Sequence, residues 1–374
     1  DELQTQEITL VGRIRSFRDM GKLIFSHIED GSAKIQVLFK SDNVGADNFK
    51  FLLKNFDIGD FIEISGTLFK TKTEEKTLHA ISYKLLAKSL RPLPSEHYGL
   101  EDEEIKLRKR YLDIIMDPTV KEIFIKKNRF CSSMRSFLVQ KGFLELEMPV
   151  LEAVPGGAEA EPFITHHNAL DRNFYLRISL ELPLKKMLVA GYEKVFEIGR
   201  IFRNEGISPE HLQDYTQMEF YWAYGDFEKL MDMVQEMYQH IIQETFGTLI
   251  LKGGVLQNTV DWSGNWERVD YVALFQNKTG INPLEASEDE LKKYADNKKI
   301  SYEPFAKKGR LIDLIFKKSV RSLIALDKPV FLINQPIELE PLAKRSPNNP
   351  KTVQRMQILA YGTELGKGFG ELND

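Results

Sequence analysis

Apolar and polar side chains alternate with period two through five short stretches near the start of the chain: Ile8 to Phe17, Leu23 to Ile28, Lys34 to Phe39, Asp60 to Phe69 and Thr77 to Leu86. Each predicts a β-strand. A polar segment from Val44 to Asn55 follows the third and has the make-up of a helix. Five strands with that interruption predict a small Greek-key barrel, a fold that often binds single-stranded nucleic acid. Leu90-Arg91-Pro92-Leu93-Pro94 then breaks any regular element, and the charged stretch Glu101 to Arg110 reads as linker and helix start. Beyond it the period lengthens. Val120, Ile123, Phe124, Lys127, Phe130, Met134, Phe137 and Leu138 recur at steps of three and four, which predicts an amphipathic helix over 119–141 stopped by Gly142. Phe143 to Met148 alternates again as a strand and ends at Pro149, which cannot donate to a ladder. A helix over Asp226 to Phe246, a lysine-rich and mostly helical insertion over 262–327, a strand over Pro329 to Ile333 and a polar, glycine-rich end complete the pattern.

The alternation is most informative between Val195 and Tyr224. Val195-Phe-Glu-Ile-Gly-Arg-Ile-Phe-Arg203-Asn-Glu205 and Asp214-Tyr215-Thr-Gln217-Met-Glu219-Phe-Tyr221-Trp form two strands joined by a loop with Gly206, Pro209 and His211. Side chains two apart share a face, so Arg203 and Glu205 point one way, as do Tyr215, Gln217, Glu219 and Tyr221; Phe202, Thr216, Met218, Phe220 and Trp222 take the other. A hairpin with one solvated face is the ordinary reading of such a pattern. Aromatic rings beside Arg and Glu instead suggest a half-buried surface that holds a charged, hydrogen-bonding ligand.

Composition narrows the partners. The chain has 374 residues, enough for two or three domains, and a net charge of −4, so no global basic field recruits nucleic acid or an anionic membrane. Residues 1–91 balance to +1 and the rest to −5, which mildly favours the barrel as the RNA-facing part. The single cysteine, Cys131, cannot form an internal disulfide and reads as a buried small hydrophobe. No leader begins the chain and no apolar run approaches the ~20 residues that span a bilayer, so a reducing cytoplasm is expected.

Two further clusters converge on the hairpin pattern. Arg177-Ile-Ser-Leu-Glu181-Leu-Pro-Leu-Lys185 precedes it, and Gly362-Thr-Glu364-Leu-Gly-Lys367-Gly-Phe369-Gly-Glu371-Leu-Asn-Asp374 closes the chain. The glycines of the second predict a bulge or a tight backbone approach. Glu364 and Glu371 are oddly spaced and would face opposite sides of a flat strand unless a bulge re-aims one. With Pro155-Gly-Gly-Ala158 and Phe163-Ile-Thr-His-His-Asn-Ala-Leu170, these segments resemble the class II lysyl-tRNA synthetases along the whole chain. The helix, strand and Pro149 are similar to the first class motif, and Phe202-Arg-Asn-Glu-Gly to Glu219 to the second.

The resemblance implies an α+β chain: an OB-type anticodon-binding barrel over 1–91, a linker over 92–118, and a catalytic domain over 119–374 built on an antiparallel sheet with flanking helices. It implies ATP-dependent activation of L-lysine to lysyl-adenylate, transfer to tRNA(Lys), Mg2+ accompanying ATP, and a homodimer. Arg203 would bridge the lysine carboxylate and the α-phosphate with its planar fork. Glu205 and His211 would contact ATP, Tyr215 would stack on adenine, and Glu364 would hold magnesium. Gly157 carbonyl and Glu181 would take the α-ammonium, and Glu371 and Tyr221 the ε-ammonium, with Phe369 and Glu219 nearby. In the barrel, Arg18, Phe25, Gln36, Glu75 and His79 would read anticodon bases. From composition alone, Phe25 is an ordinary barrel-core residue and Gln36 a surface one.

Three departures from the family pattern carry expectations. The third class motif does not occur before Asp374, so the catalytic sheet is expected to be C-terminally incomplete, with little or no adenylation activity. Lys367 stands where asparagine is usual near the side-chain ammonium, and would repel substrate unless it points away. Gln357 stands where a second acidic metal ligand is expected. A class I synthetase needs a His-x-Gly-His signature, which His97-Tyr-Gly-Leu100 lacks. An aspartate or asparagine enzyme of the same subclass would set Glu181 and Glu371 against an acidic side chain. A non-catalytic tRNA-binding protein is the remaining alternative.

Overall fold

The structure is a computed structural model that describes residues 6–94, 100–206, 211–254 and 257–372; His97, Pro209, Asn373 and Asp374 lie outside them. The chain divides into two compact units, Asp1–Ile123 and Phe124–Asp374.

In the first unit β1 (Glu7–Asp19), β2 (Leu23–Glu29), β3 (Lys34–Lys40), β4 (Phe61–Lys70) and β5 (Lys76–Ala87) close a barrel in the order β1-β2-β3-β5-β4. Their inward positions, among them Ile14, Ile24, Val37, Phe39, Ile62, Ile64 and Leu78, are buried in one core. Two helices interrupt the strands, α1 (Ser41–Val44) and α2 (Ala46–Asn55), and α2 sets Phe49 and Leu52 into that core. The stretch expected to be linker contains two short helices, α3 (Glu103–Arg108) and α4 (Arg110–Met116). Asp102 caps the first by accepting from Ile105 N at 2.9 Å, satisfying one of the orphan donors of a helix start.

The second unit is built on α5 (Pro118–Gln140), whose last turns bury Phe137 and Leu138 while Phe124 and Ile125 remain exposed. Cys131 on this helix is half-buried rather than buried. The strand expected over Phe143 to Met148 is reduced to β6 (Leu144–Glu145), because the chain leaves the sheet before Pro149. β7 (Leu151–Glu152), β8 (Ile164–His167) and β9 (Arg172–Leu176) form a small sheet in the order β7-β9-β8. After α6 (Glu181–Val189), β10 (Lys194–Phe202) and β11 (Asp214–Trp222) make the antiparallel hairpin, and β6 joins β10 in parallel.

α7 (Phe227–Phe246) sends Met233, Met237 and Ile241 to the cluster of Phe137, Phe143 and Phe196, and Met231 and Val234 to a second cluster with Trp262, Trp266, Phe331 and Ile358. β12 (Ile250–Gly253) and β13 (Asn258–Asp261) form a hairpin, and the stretch expected to be a helical insertion begins with a strand, β14 (Glu267–Asp270). Only then come its helices α8 (Tyr271–Thr279), α9 (Glu288–Asn297) and α10 (Lys308–Ser319), which share one apolar core. β14 pairs in parallel with β15 (Val330–Ile333) at the edge of a sheet ordered β14-β15-β18-β19. The remaining strands are β16 (Arg345–Ser346), β17 (Asn349–Val353), β18 (Arg355–Ala360) and β19 (Thr363–Phe369). Parallel pairing of β6 with β10 and of β14 with β15 makes two sheets of this unit mixed, and the others are antiparallel. Among the described residues, no helix is long and apolar enough to cross a membrane.

Candidate functional site

The hairpin register sets Val195 opposite Tyr221, Glu197 opposite Glu219, Gly199 opposite Gln217 and Ile201 opposite Tyr215. The polar side chains read from the alternation do share one face, and that face is not left to solvent. Leu180 and Leu184 of the α6 segment pack on Val195 and Ile201, with Tyr215 and Tyr221 at the margin. A cavity of about 2600 Å³ opens beside it, lined by Gly157, Glu181, Arg203, His211, Tyr215, Glu219, Tyr221, Glu364, Phe369 and Glu371. Every residue expected in the second unit's site thus lines one cavity except Glu205, which follows Arg203 as an exposed loop residue.

Glu219 organises one end of this surface. Its Oε1 accepts from Ser179 Oγ at 2.9 Å, from Leu180 N at 3.0 Å and from Gln217 Nε2, while Tyr221 donates to its Oε2 at 2.8 Å. A carboxylate with four donors is an anchor: it ties the start of α6 to β11 and fixes the Tyr221 ring. Burial, reinforced by the Glu219, Glu181 and Glu371 carboxylates, raises the Tyr221 pKa, so the phenol keeps its proton and remains a donor. Beside it Lys185 Nζ meets Glu181 Oε1 at 2.7 Å and Glu371 Oε1 at 2.8 Å. Gly157 lies against the same group with φ +86°, and a Cβ there would stand 2.9 Å from Glu181 Cβ, so the close approach of this loop requires glycine.

Arg203 begins the loop after β10. Its Nε donates to Ile178 O at 3.3 Å, its backbone N to Gln213 O at 2.8 Å, and its guanidinium lies 5.8 Å from the Tyr215 ring centre. Held by its Nε, it leaves the planar end of the fork toward the cavity. The Tyr215 pKa is raised by burial, with Arg203 opposing.

The closing strand resolves the odd spacing of its two glutamates. Glu364 pairs with Leu359 but Gly366 with Ile358, so Leu365 is an extra residue, a β-bulge. The shift brings Glu364 onto the face of Lys367, Phe369 and Glu371, while Gly366 and Gly368 pack closely on Ile358 and Met356 behind. Gln357 Nε2 donates to Glu364 Oε2 at 2.9 Å. Lys367 Nζ lies 3.8 Å from Glu340 Oε2, so its charge has a carboxylate partner of its own.

Sequence reasoning missed the pin beneath the site. Arg177 Nη1 meets Glu197 Oε1 at 2.7 Å with both side chains at most 5 % exposed. Arg177 also donates to Arg200 O at 2.8 Å and Met148 O at 3.0 Å, and Glu197 Oε2 accepts from Met148 N at 3.1 Å. The pair joins three separate segments at the root of the Arg177–Glu181 strand end. Gly199 makes room for it, since a Cβ there would fall 2.3 Å from Arg177 Nη2. A glycine inside a strand, two residues from a glutamate, was the available signal.

In the barrel the expected residues other than Glu75, which just precedes β5, fall into two neighbouring rows of one face. Arg18, Phe25, Leu38 and His79 stand opposite one another across β1, β2, β3 and β5, as do Ser16, His27, Gln36 and Thr77. Gln36 Nε2 donates to Glu75 Oε2 at 2.7 Å, His27 Nε2 meets Glu75 Oε1 at 3.1 Å, and Thr77 Oγ donates to Gln36 Oε1 at 2.7 Å. Phe25 is half-buried and outside the barrel core. Burial, then the charge of Lys40, lowers the His79 pKa, and its buried Nε2 has no hydrogen-bond partner. His27, missed from the sequence, shares the face of Phe25 by alternation.

Comparison with known proteins agrees with this arrangement. Residues 8–90 match the OB-fold nucleic acid binding domain, and residues 102–374 match the family described as tRNA synthetases class II (D, K and N). The chain is 41 % identical over 377 residues to the lysine–tRNA ligase of Carboxydothermus hydrogenoformans, covering all of this chain and 76 % of that protein. The chain belongs to the class II lysine–tRNA ligase family. Relatives from Bacillus subtilis (38 % over 369 residues, 98 % of this chain and 73 % of theirs) and Pelotomaculum thermopropionicum (40 % over 377, all of this chain and 73 % of theirs) carry the same name. The barrel followed by mixed sheets with helices is the α+β make-up of this lysine–tRNA ligase family.

Proposed function

We propose that the second unit activates L-lysine with ATP and transfers the lysyl group to tRNA(Lys), with the barrel reading the anticodon through Arg18, Phe25, Gln36, Glu75 and His79. The observation that supports this most directly is one cavity that sets the Arg203 guanidinium and the Glu181, Tyr221 and Glu371 cluster into the same lining. In the first step a lysine carboxylate oxygen attacks the α-phosphorus, forming a C–O–P anhydride as the bond to pyrophosphate breaks. In the second a ribose hydroxyl attacks the carbonyl and AMP leaves. Neither step needs a protein nucleophile. What is needed is that two anions be held together, and Arg203 can bridge both.

Around that bridge, Tyr215 offers a ring to adenine, with Glu205 and His211 toward ATP. Gly157 O and Glu181 receive the α-ammonium, and Glu371 and Tyr221 the ε-ammonium, with Phe369 beside them and Glu219 as the anchor behind. Among the described residues no group of three His, Cys, Asp or Glu could hold a metal ion alone. Glu364, with an amide rather than a second acid beside it, would hold the Mg2+ that accompanies ATP. When bound, that ion neutralises phosphate charge. A cytoplasmic location goes with this role.

The test is a thermal-shift titration with lysine, ATP and both together. Stabilisation by each, and more by both, is expected; no response to either would favour a purely RNA-binding role. A two-fold homodimer is proposed as well, because Phe124, Ile125, Leu144, Val150 and Leu151 expose apolar surface on α5 and the segment after it. Light scattering should return twice the 43.2 kDa of one chain; a monomer at micromolar concentration would count against it.

A further inference from the structure

Lys185 stands four residues after Glu181, an ordinary pairing along a helix face. The structure gives it a second, non-local partner. Its ammonium sits between Glu181 Oε1 at 2.7 Å and Glu371 Oε1 at 2.8 Å, with the Tyr221 ring centre at 5.8 Å and the Phe369 ring centre at 5.9 Å. Glu371 arrives from just past β19, so one cation ties α6 to the far end of the chain. Both carboxylates line the cavity and Lys185 does not.

Two carboxylates brought within reach of one ammonium repel each other, and without a shared cation they would swing apart. Lys185 uses Oε1 of each, which leaves Oε2 of each for an incoming amine. Glu219 of β11, whose carboxylate holds the neighbouring Tyr221 hydroxyl, is already engaged by four donors. Burial works against the charge of Lys185, but its bonds to the two glutamates outweigh that and raise its pKa.

We propose that Lys185 is a positioning residue for the substrate's amines: it clamps Glu181 and Glu371 together and keeps both of them aimed into the cavity. This rests on lysine as the substrate. The side chain touches no reacting atom, so its loss should alter amine binding and leave ATP binding alone.

The experiment is calorimetric titration of L-lysine and, separately, ATP into the unsubstituted chain, Lys185→Met and Lys185→Arg. Lys185→Met, which keeps the apolar stem, is expected to weaken lysine binding about tenfold, the scale on which lost supporting partners weaken ligation at metal sites. Lys185→Arg should restore most of the loss. Lysine affinity that is unchanged or tighter in Lys185→Met would overturn the proposal; tighter binding would mean that Lys185 competes with substrate. An unsubstituted chain that binds ATP but no lysine would overturn the substrate reading itself, a different outcome. Should Lys185→Met fail to fold, 13C-methylated lysines in the unsubstituted chain report instead. The Lys185 resonance must keep its shift when L-lysine is added, and a move to the solvent position would refute the clamp.

Discussion

Glu371→Gln is expected to weaken L-lysine binding about thirty- to a hundredfold, ~2 to 3 kcal/mol, while ATP binding stays within about twofold. The exchange is nearly isosteric, so packing against Phe369 and the bridge to Ala343 should survive. What is lost is a full negative charge facing an ammonium. Glu371 is 43 % exposed, which places the effect at the lower end of what buried charge pairs cost. A neutral amide also accepts one hydrogen bond, so the loss should fall well short of total. Calorimetry with each ligand alone is the check: an unchanged lysine affinity would remove Glu371 from the ammonium end, and a parallel loss of ATP affinity would point to disorder of the whole cavity wall.

Arg177→Met should destabilise the second unit by ~3 to 5 kcal/mol, because Glu197 is left as a buried charge without a counter-ion. The pair is almost completely enclosed, so solvent cannot take over the role of either partner. Beyond stability, the pin holds the segment that supplies Ile178 O to Arg203 and Ser179 Oγ to Glu219, so lysine and ATP binding should fall together. Denaturant unfolding followed by tryptophan fluorescence would show a lower midpoint. The double variant Arg177→Met, Glu197→Leu should recover part of the loss, since it removes the stranded carboxylate. A midpoint within experimental error of the unsubstituted chain would show that the pair contributes little to the fold.

The elements readable from sequence are those whose environment is local. The barrel strands and the β10–β11 hairpin alternate cleanly because one face of each is buried, and period two reports that directly. β14 escaped notice because Glu267-Arg-Val-Asp270 is charged and lies at a sheet edge in parallel pairing, where a single strand partner asks little of its outer face. β6 was overextended because alternation continued after the chain had turned away toward Met148, whose backbone binds Arg177 and Glu197 instead of a strand. The site divides the same way. Arg203, Tyr215, Glu219 and Tyr221 could be grouped by parity, and the resemblance supplied the C-terminal carboxylates. The Arg177–Glu197 pin and the Lys185 clamp were not legible, since each joins residues from separate elements and neither partner looks unusual in its own stretch.

The bulge at Leu365 has a consequence for how this end of the chain can vary. A strand keeps count only of odd and even, and the single extra residue changes an odd interval between Glu364 and Glu371 into an even one. Related chains can therefore gain or lose residues here in pairs with little harm to which carboxylates look inward. The loss of one residue would swap the glycines and the acids between the two surfaces, pressing side chains into the space beside Met356 and Ile358 that now admits none. Parity, more than length, is what this segment has to inherit.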